Sequence, residues 1–196
     1  MLFKTLILTG LGLVSAVALP PPATDAPLSA DKRSGSCARD SGSCLSPSDA
    51  AAIVNAYKGM INHWDNSYIP WIAEDFTDQS DSINEFIPQA LGATTFRSKQ
   101  AFIQHEQTQP DNLPLVVQSF GPLGCTQIAL IWTATFSYTS AAPQPVRGIT
   151  ILGTSKTGSG SIPWQIRRID VEYNSMAFLK NIGGSYTFPP PPPSKE

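Results

Sequence analysis

The stretch Ala73-Glu74-Asp75-Phe76-Thr77-Asp78-Gln79-Ser80-Asp81-Ser82-Ile83-Asn84 decides how this chain is read. Asp75, Asp78 and Asp81 recur at every third residue, between an amphipathic helical segment and a strand-rich second half. The run therefore marks the place where a helical layer hands over to a sheet. Aspartate and serine also hydrogen-bond their own backbone, so the same residues predict Asx-turns and a chain reversal.

Upstream, Ser46-Pro47-Ser48-Asp49 is a helix start. Ser46 is the N-cap, Pro47 occupies the first helical position, and Asp49 faces the positive end of the helix dipole. The helix is predicted to run to about Asn66. Ile53, Tyr57, Met60, Ile61 and Trp64 repeat at three- and four-residue spacing and make one apolar face. Ser67 to Ala73 reads as a second, shorter helical piece broken at Pro70.

Downstream, Pro88 and Gly92 punctuate a loop over Ile87 to Gly92. A helix is predicted over Lys99 to Thr108, ending before Pro110-Asp111-Asn112. From there the composition turns to β. Leu115–Phe120, Thr126–Tyr138, Val146–Thr154 and Ile162–Tyr173 are rich in Val, Ile, Thr and aromatics and predict an antiparallel meander. In the second of these, Ile128, Leu130, Trp132, Ala134, Phe136 and Tyr138 share one face, which predicts a half-buried strand. In the last, the apolar parity switches at Arg167-Arg168, which predicts a bulge that keeps both apolar sets on one face and bends the sheet. Met176 to Ile182 adds a short final segment.

The ends read as processing signals and a tail. Lys4 precedes the apolar stretch Leu6 to Leu19, and Ala16-Val17-Ala18 fits a signal peptidase site, so residues 1–18 are expected to be a signal peptide. That stretch is shorter than the roughly 20 residues of a membrane span. Residues 19–33 are expected to be a propeptide ending in the dibasic pair Lys32-Arg33, which suits a kexin-type protease and looks fungal; an accidental pair in a linker is the alternative. Residues 34–184 then form one domain, and 185–196 a Pro-rich tail. A secreted, extracellular location follows.

Charged residues are 14% of the chain and the net charge is −2, which leaves no electrostatic footprint for nucleic acid. Three cysteines, Cys37, Cys44 and Cys125, allow three intrachain pairings. Cys44–Cys125 is favoured because it ties the start of the first helix to the start of a long strand. Cys37–Cys44, closing a small Ser/Gly loop, is the alternative. Neither pattern has the spacing of a metal site, and no cofactor motif is found.

The order of helix, short helix, acidic run, third helix and curved sheet resembles the nuclear transport factor 2-like superfamily, and more narrowly its secreted fungal, SnoaL-like members. The segments that carry the resemblance are Glu74 to Asn84, Ser98-Lys99-Gln100-Ala101-Phe102-Ile103, Cys125 through Trp132, Val146-Arg147-Gly148-Ile149, Trp164-Gln165-Ile166 and Glu172-Tyr173-Asn174-Ser175. The resemblance implies a cone-shaped α+β fold, with about three N-terminal helices packed on a strongly curved antiparallel sheet. It also implies a pocket between helices and sheet, entered near the acidic run, and a possible homodimer through the convex sheet face.

Members of the superfamily include cofactor-free isomerases, dehydratases and polyketide cyclases as well as proteins that only bind. The enzymes use a pocket carboxylate or histidine to move a proton beside a carbonyl, with a phenol or protonated acid stabilising the oxyanion. By that resemblance Asp75, Asp78 and Asp81 are candidate bases, Asp75 first because it precedes Phe76 in a possible short strand. Tyr57, Trp132, Phe136 and Tyr173 are candidate pocket walls for a small apolar ligand. His63 and His105 lie near helix C-termini, where a cation already has a structural reason to sit. The strands contain no His, so the paired histidines of a dehydratase are not matched. Three functions follow: binding of a small apolar ligand, proton transfer on a polyketide-like substrate, or an interaction or structural role outside the cell.

Overall fold

A computed structural model describes residues 44–110, 113–138, 143–157 and 160–187. The expected signal peptide, propeptide and Cys37 lie outside the described residues, as do Ala18, Lys32, Arg33 and all but the first three residues of the Pro-rich tail. The first helix, α1, spans Pro47–Asn62. Ser46 and Asp49 form a reciprocal cap: Asp49 N–H donates to Ser46 Oγ at 3.1 Å, and Ser46 N–H to Asp49 Oδ2 at 3.1 Å. The helix ends earlier than predicted, with His63 in extended backbone as its C-cap. The Pro70 segment is a 3₁₀ turn, Asn66–Trp71, started by Asp65, whose carboxylate accepts from Ser67 N–H at 2.7 Å.

The acidic run corrects the turn reading. Its first part is a strand, β1 (Ile72–Gln79), and its second a single helical turn, α2 (Asp81–Asn84), capped by Ser80. Phe76 is fully buried, and that apolar anchor, followed by Asp78 and Ser80 at period two, holds the segment extended on the inner face. A short strand β2 (Thr94–Phe96), which no periodicity announced, precedes α3 (Lys99–Glu106). Then come β3 (Leu115–Pro122), β4 (Gln127–Thr135), β5 (Pro145–Lys156), β6 (Trp164–Tyr173) and a last helix α4 (Ser175–Asn181).

The six strands form one sheet in the order β2-β1-β6-β5-β4-β3. Pairing is antiparallel except between β1 and β6, which run parallel because the helical and β3–β5 segments intervene between them. The predicted bulge is present. Gly153 pairs with Arg168 and Thr154 with Ile166, so Arg167 is the extra residue. Trp164, Ile166, Ile169 and Val171 are consequently all buried on the same side while Arg167 and Arg168 are exposed.

On β4, Ile128, Leu130, Trp132 and Ala134 are buried with Phe136 just beyond the strand, whereas Tyr138, expected to share that face, is 46% exposed. The core lies between this inner face and α1 and α3, with Ile53, Val54, Met60, Phe76 and Phe102 at its centre. Trp132 lies flat over Gly148, where any Cβ would overlap the indole. Cys44 and Cys125 are joined in a disulfide, so the start of α1 is tied to the β3–β4 turn, and Leu45 N–H reinforces the contact by donating to Cys125 O at 2.8 Å.

Candidate functional site

The three aspartates of the acidic run have three different positions. Asp75, the first candidate, is a correction: it points outward, with a side chain 62% exposed and an ion pair to Arg167 at 2.7 Å. In a strand, the residue directly before an inward-facing Phe faces the other way, and the register shift between Ile72 and Thr77 leaves Glu74 exposed as well. Asp81 sits at the start of α2 and shapes the following loop, its Oδ1 accepting from Gly92 N–H at 2.6 Å. Asp78 is the inward one. It shares the inner face with Phe76 and Ser80 and is 2% exposed.

Asp78 is an unusual carboxyl. Its Oδ1 is buried with no hydrogen-bond partner. Burial pushes its pKa up to about 8, the nearby Asp170 and Glu172 charges push the same way, and the Thr95 side chain opposes them. Glu106, the last residue of α3, is also buried. Its pKa is likewise pushed up to about 8 by burial and by Asp78. The pair is held in the neutral form because two desolvated like charges cannot both ionise cheaply.

Around them stand hydrogen-bonding aromatics. Tyr57 OH and Thr150 Oγ1 are 3.1 Å apart, and Trp132 Nε1 donates to the same Thr150 Oγ1 at 2.9 Å. Burial raises the Tyr57 phenol, the Thr150 bond works against that rise, and the Asp78 and Glu106 charges add to it. Tyr173 is half-buried; its OH donates to Ser82 O at 3.2 Å, and burial followed by the Glu172 charge raises it too. Phe136 belongs to an aromatic chain under α4, with its ring 5.2 Å from Phe178, which is 5.4 Å from Tyr173. Tyr57, Trp132 and Tyr173 therefore share one interior with Asp78, while Phe136 stands at its α4 end.

Glu172 does not face that interior. Its carboxylate accepts from the backbone N–H groups of Asp81 at 2.7 Å and Ser82 at 2.9 Å and from the Ser82 hydroxyl, clamping α2 to β6. His63 is exposed at the end of α1. His105 packs on Phe96 with ring centroids 4.6 Å apart, and burial lowers its pKa, which works against the dipole-paired cation expected from its place at the helix end.

At the outer end of this polar interior, Trp64, Asp65, Asn66, Glu106, Gln107 and Gln109 line an open depression of about 370 Å³. A second depression, of about 290 Å³, lies between the 3₁₀ turn and the β5–β6 connection; its lining, which includes Pro70, Thr157 and Gln165, carries no ionisable side chain. Among the described residues no group of three or more His, Cys, Asp or Glu side chains is placed to hold a metal ion. None of their helices is long and apolar enough to cross a membrane.

Glu106 and Thr150 were not identified from the sequence. A signal for Glu106 was present: it follows Phe102 by four residues and Ile103 by three, on the buried face of α3. Thr150 has none beyond its strand parity, because its partners lie on α1 and on the neighbouring strand.

Comparison with known proteins places this architecture. A family model described as an NTF2-like domain matches residues 43–185. No curated protein matches the chain. Among solved structures, a loop truncation variant of IdmH is 12% identical and superposes with a TM-score of 0.52 over 68% of this chain and 99% of that one. Wild-type IdmH of Streptomyces antibioticus, a candidate polyketide cyclase, is 13% identical, with a TM-score of 0.49 over 68% and 98%. A candidate polyketide cyclase of Xanthomonas campestris is 16% identical, with a TM-score of 0.46 over 68% and 96%. With most of its length matched by the family model, the chain belongs to the NTF2-like domain family.

Proposed function

We propose that this chain is a secreted NTF2-like domain that binds a small, largely apolar ligand bearing a carbonyl or hydroxyl oxygen, held beside Asp78 between α1 and the sheet. The observation that carries this reading is the fully buried Asp78 Oδ1, which has no hydrogen-bond partner and lies on the inner face with Phe76. An unpaired buried carboxyl oxygen costs about 1–3 kcal/mol, and a ligand that hydrogen-bonds the neutral acid recovers that cost. The test is titration of the secreted chain with aromatic ketones and phenols, followed by indole fluorescence from Trp64 and Trp132. Oxygen-bearing ligands are expected to bind about tenfold more tightly than hydrocarbons of the same size, and Asp78→Ala to erase the difference. Equal binding of both ligand classes overturns the reading. Ligand co-purified from the native secretion identifies the natural compound.

A second reading is favoured by one arrangement: the Tyr57 and Tyr173 phenols both lie near enough to Asp78 for its charge to add to the burial that raises them, and Asp78 is itself pushed up to about 8. A carboxyl poised there can take a proton next to a carbonyl while a phenol steadies the oxyanion, the chemistry of an isomerase or cyclase on a polyketide-like substrate. Deuterium exchange at the carbon beside the ligand carbonyl, lost in Asp78→Asn, is the expected result; no exchange in the native protein rejects it.

Secretion is supported by the apolar segment before Ala18, and maturation by Lys32-Arg33; intact mass of the secreted chain tests both, and an N-terminus at Leu19 removes the propeptide. Dimerisation through the outer sheet face is supported by Val116 and Ile149, 49% and 54% exposed there. Sedimentation at micromolar concentration tests it.

A further inference from the structure

The depression at the ends of α1 and α3 has a chemistry different from that of the interior. Glu106 is 8% exposed and lines it, and among the described residues its carboxyl has no hydrogen-bond partner. Trp64 forms one wall, its ring tilted against Tyr68 and edge-on to Phe102 at centroid distances of 6.4 and 6.2 Å. Asp65 stands at the rim, its carboxylate held below the usual range by hydrogen bonds from Ser67. The C-terminal ends of α1 and α3, where helix dipoles are negative, adjoin these residues. No cationic side chain is among the residues that line it.

We propose that this depression binds a small organic cation, a quaternary or protonated amine, with its charge against Glu106 and its alkyl groups on the Trp64 ring. A buried carboxyl, an aromatic wall and converging negative helix ends are the three elements that stabilise an ammonium group away from bulk water. A metal ion is a poor fit, because the lining supplies only two carboxylates and no histidine or cysteine. The inference goes beyond the interior reading and holds whether or not Asp78 engages a carbonyl.

Binding is coupled to a proton. The titratable groups facing Glu106 are Asp78 from β1 and Tyr57 from α1, with Asp65 and His63 at the α1 end and His105 beside it on α3. Asp78 and desolvation keep Glu106 protonated without ligand; an arriving cation favours the carboxylate, and the displaced proton leaves to solvent. Affinity therefore rises with pH until Glu106 ionises unaided.

The experiment is calorimetric titration of the full secreted chain with choline and with its uncharged isostere 3,3-dimethylbutan-1-ol, at pH 5.5 and 8.5. Choline is expected to bind about tenfold or more tightly than the isostere at pH 8.5, and about tenfold more weakly at pH 5.5 than at 8.5. Glu106→Gln is expected to remove both the charge preference and the pH dependence, and Trp64→Leu to weaken choline alone. Equal binding of choline and isostere, or no choline binding at either pH, overturns the proposal, as does unchanged choline affinity in Glu106→Gln. The contrasts in the unmutated protein decide the matter even if a variant does not fold. Both probes carry the same hydroxyl, so any binding of that group in the interior is common to the two; the charge preference and its loss in Glu106→Gln are read only at this depression, and failure here is separate from failure of the interior reading.

Discussion

Tyr57 on α1 and Thr150 on β5, 93 residues apart, meet through a 3.1 Å hydrogen bond in the interior, and the same Thr150 hydroxyl accepts the indole N–H of Trp132. One threonine thus satisfies two buried polar groups and fastens the first helix to the middle of the sheet. Thr150→Val keeps the shape and removes both bonds, leaving a phenol and an indole N–H unpaired. The expected cost is about 2–4 kcal/mol, read from urea unfolding. A loss below about 0.5 kcal/mol would mean that the contact does not hold the helix to the sheet.

The Asp78 and Glu106 carboxyls set the pH dependence of stability. Their folded pKa values are raised above the ordinary ones of 3.8 and 4.5, so the stability they allow is fully present below those values and is lost as pH rises through about 8. The slope approaches about 1.4 kcal/mol per pH unit for each group that must shed a proton. His105 acts in the opposite sense: its folded pKa is lowered, so its contribution is present above 6.5 and lost as pH falls. Asp78→Asn is expected to raise stability at pH 8 relative to pH 5 and to flatten the decline between them in urea titrations. An unchanged profile would place the ionisation elsewhere.

Asp75 and Arg167 pair on the outside, with side chains 62% and 52% exposed. Such pairs contribute about 0–1 kcal/mol because solvent screens them and their rotamers must be ordered. Asp75→Ala is therefore expected to change stability by less than about 1 kcal/mol and ligand titrations not at all. A loss of binding in this variant, with Asp78→Ala silent, would return Asp75 to the site.

The disulfide between Cys44 and Cys125 spans 81 residues of chain. Restricting a loop of that size in the unfolded chain is worth up to about 4–5 kcal/mol. The double variant Cys44→Ser, Cys125→Ser is expected to melt at a clearly lower temperature, and reductant to lower the native melting temperature while leaving the variant unaffected. Equal melting of both proteins would show that the bridge adds nothing.

Much of the fold follows from local chemistry that can be read one segment at a time. The Ser46–Asp49 cap starts α1, and the period of two along Ile128 to Phe136 gives one face of β4. The parity switch at Arg167 gives the bulge, since a strand cannot otherwise keep Trp164 and Val171 on one side. Each is decided by neighbours within a few residues, so no partner is needed to see it. The acidic run was less legible. Its aspartates and serines suit a turn, and only β6 and β2 on either side, with Phe76 driven into the core, make it a strand.

The sequence by itself therefore determined an α+β chain with an aromatic inner face and carboxylates near the helix-to-sheet junction. Only the tertiary structure decided which carboxyl is inside. Asp75 and Asp78 are equally acidic on paper, but strand pleating sends them to opposite faces, and burial then makes Asp78 a neutral acid while Asp75 stays in water with Arg167. Glu106 and Thr150 enter the site for the same reason. Desolvation and hydrogen-bond partnership depend on elements tens of residues away, and those are brought together only by the packing of α1 and α3 against the sheet.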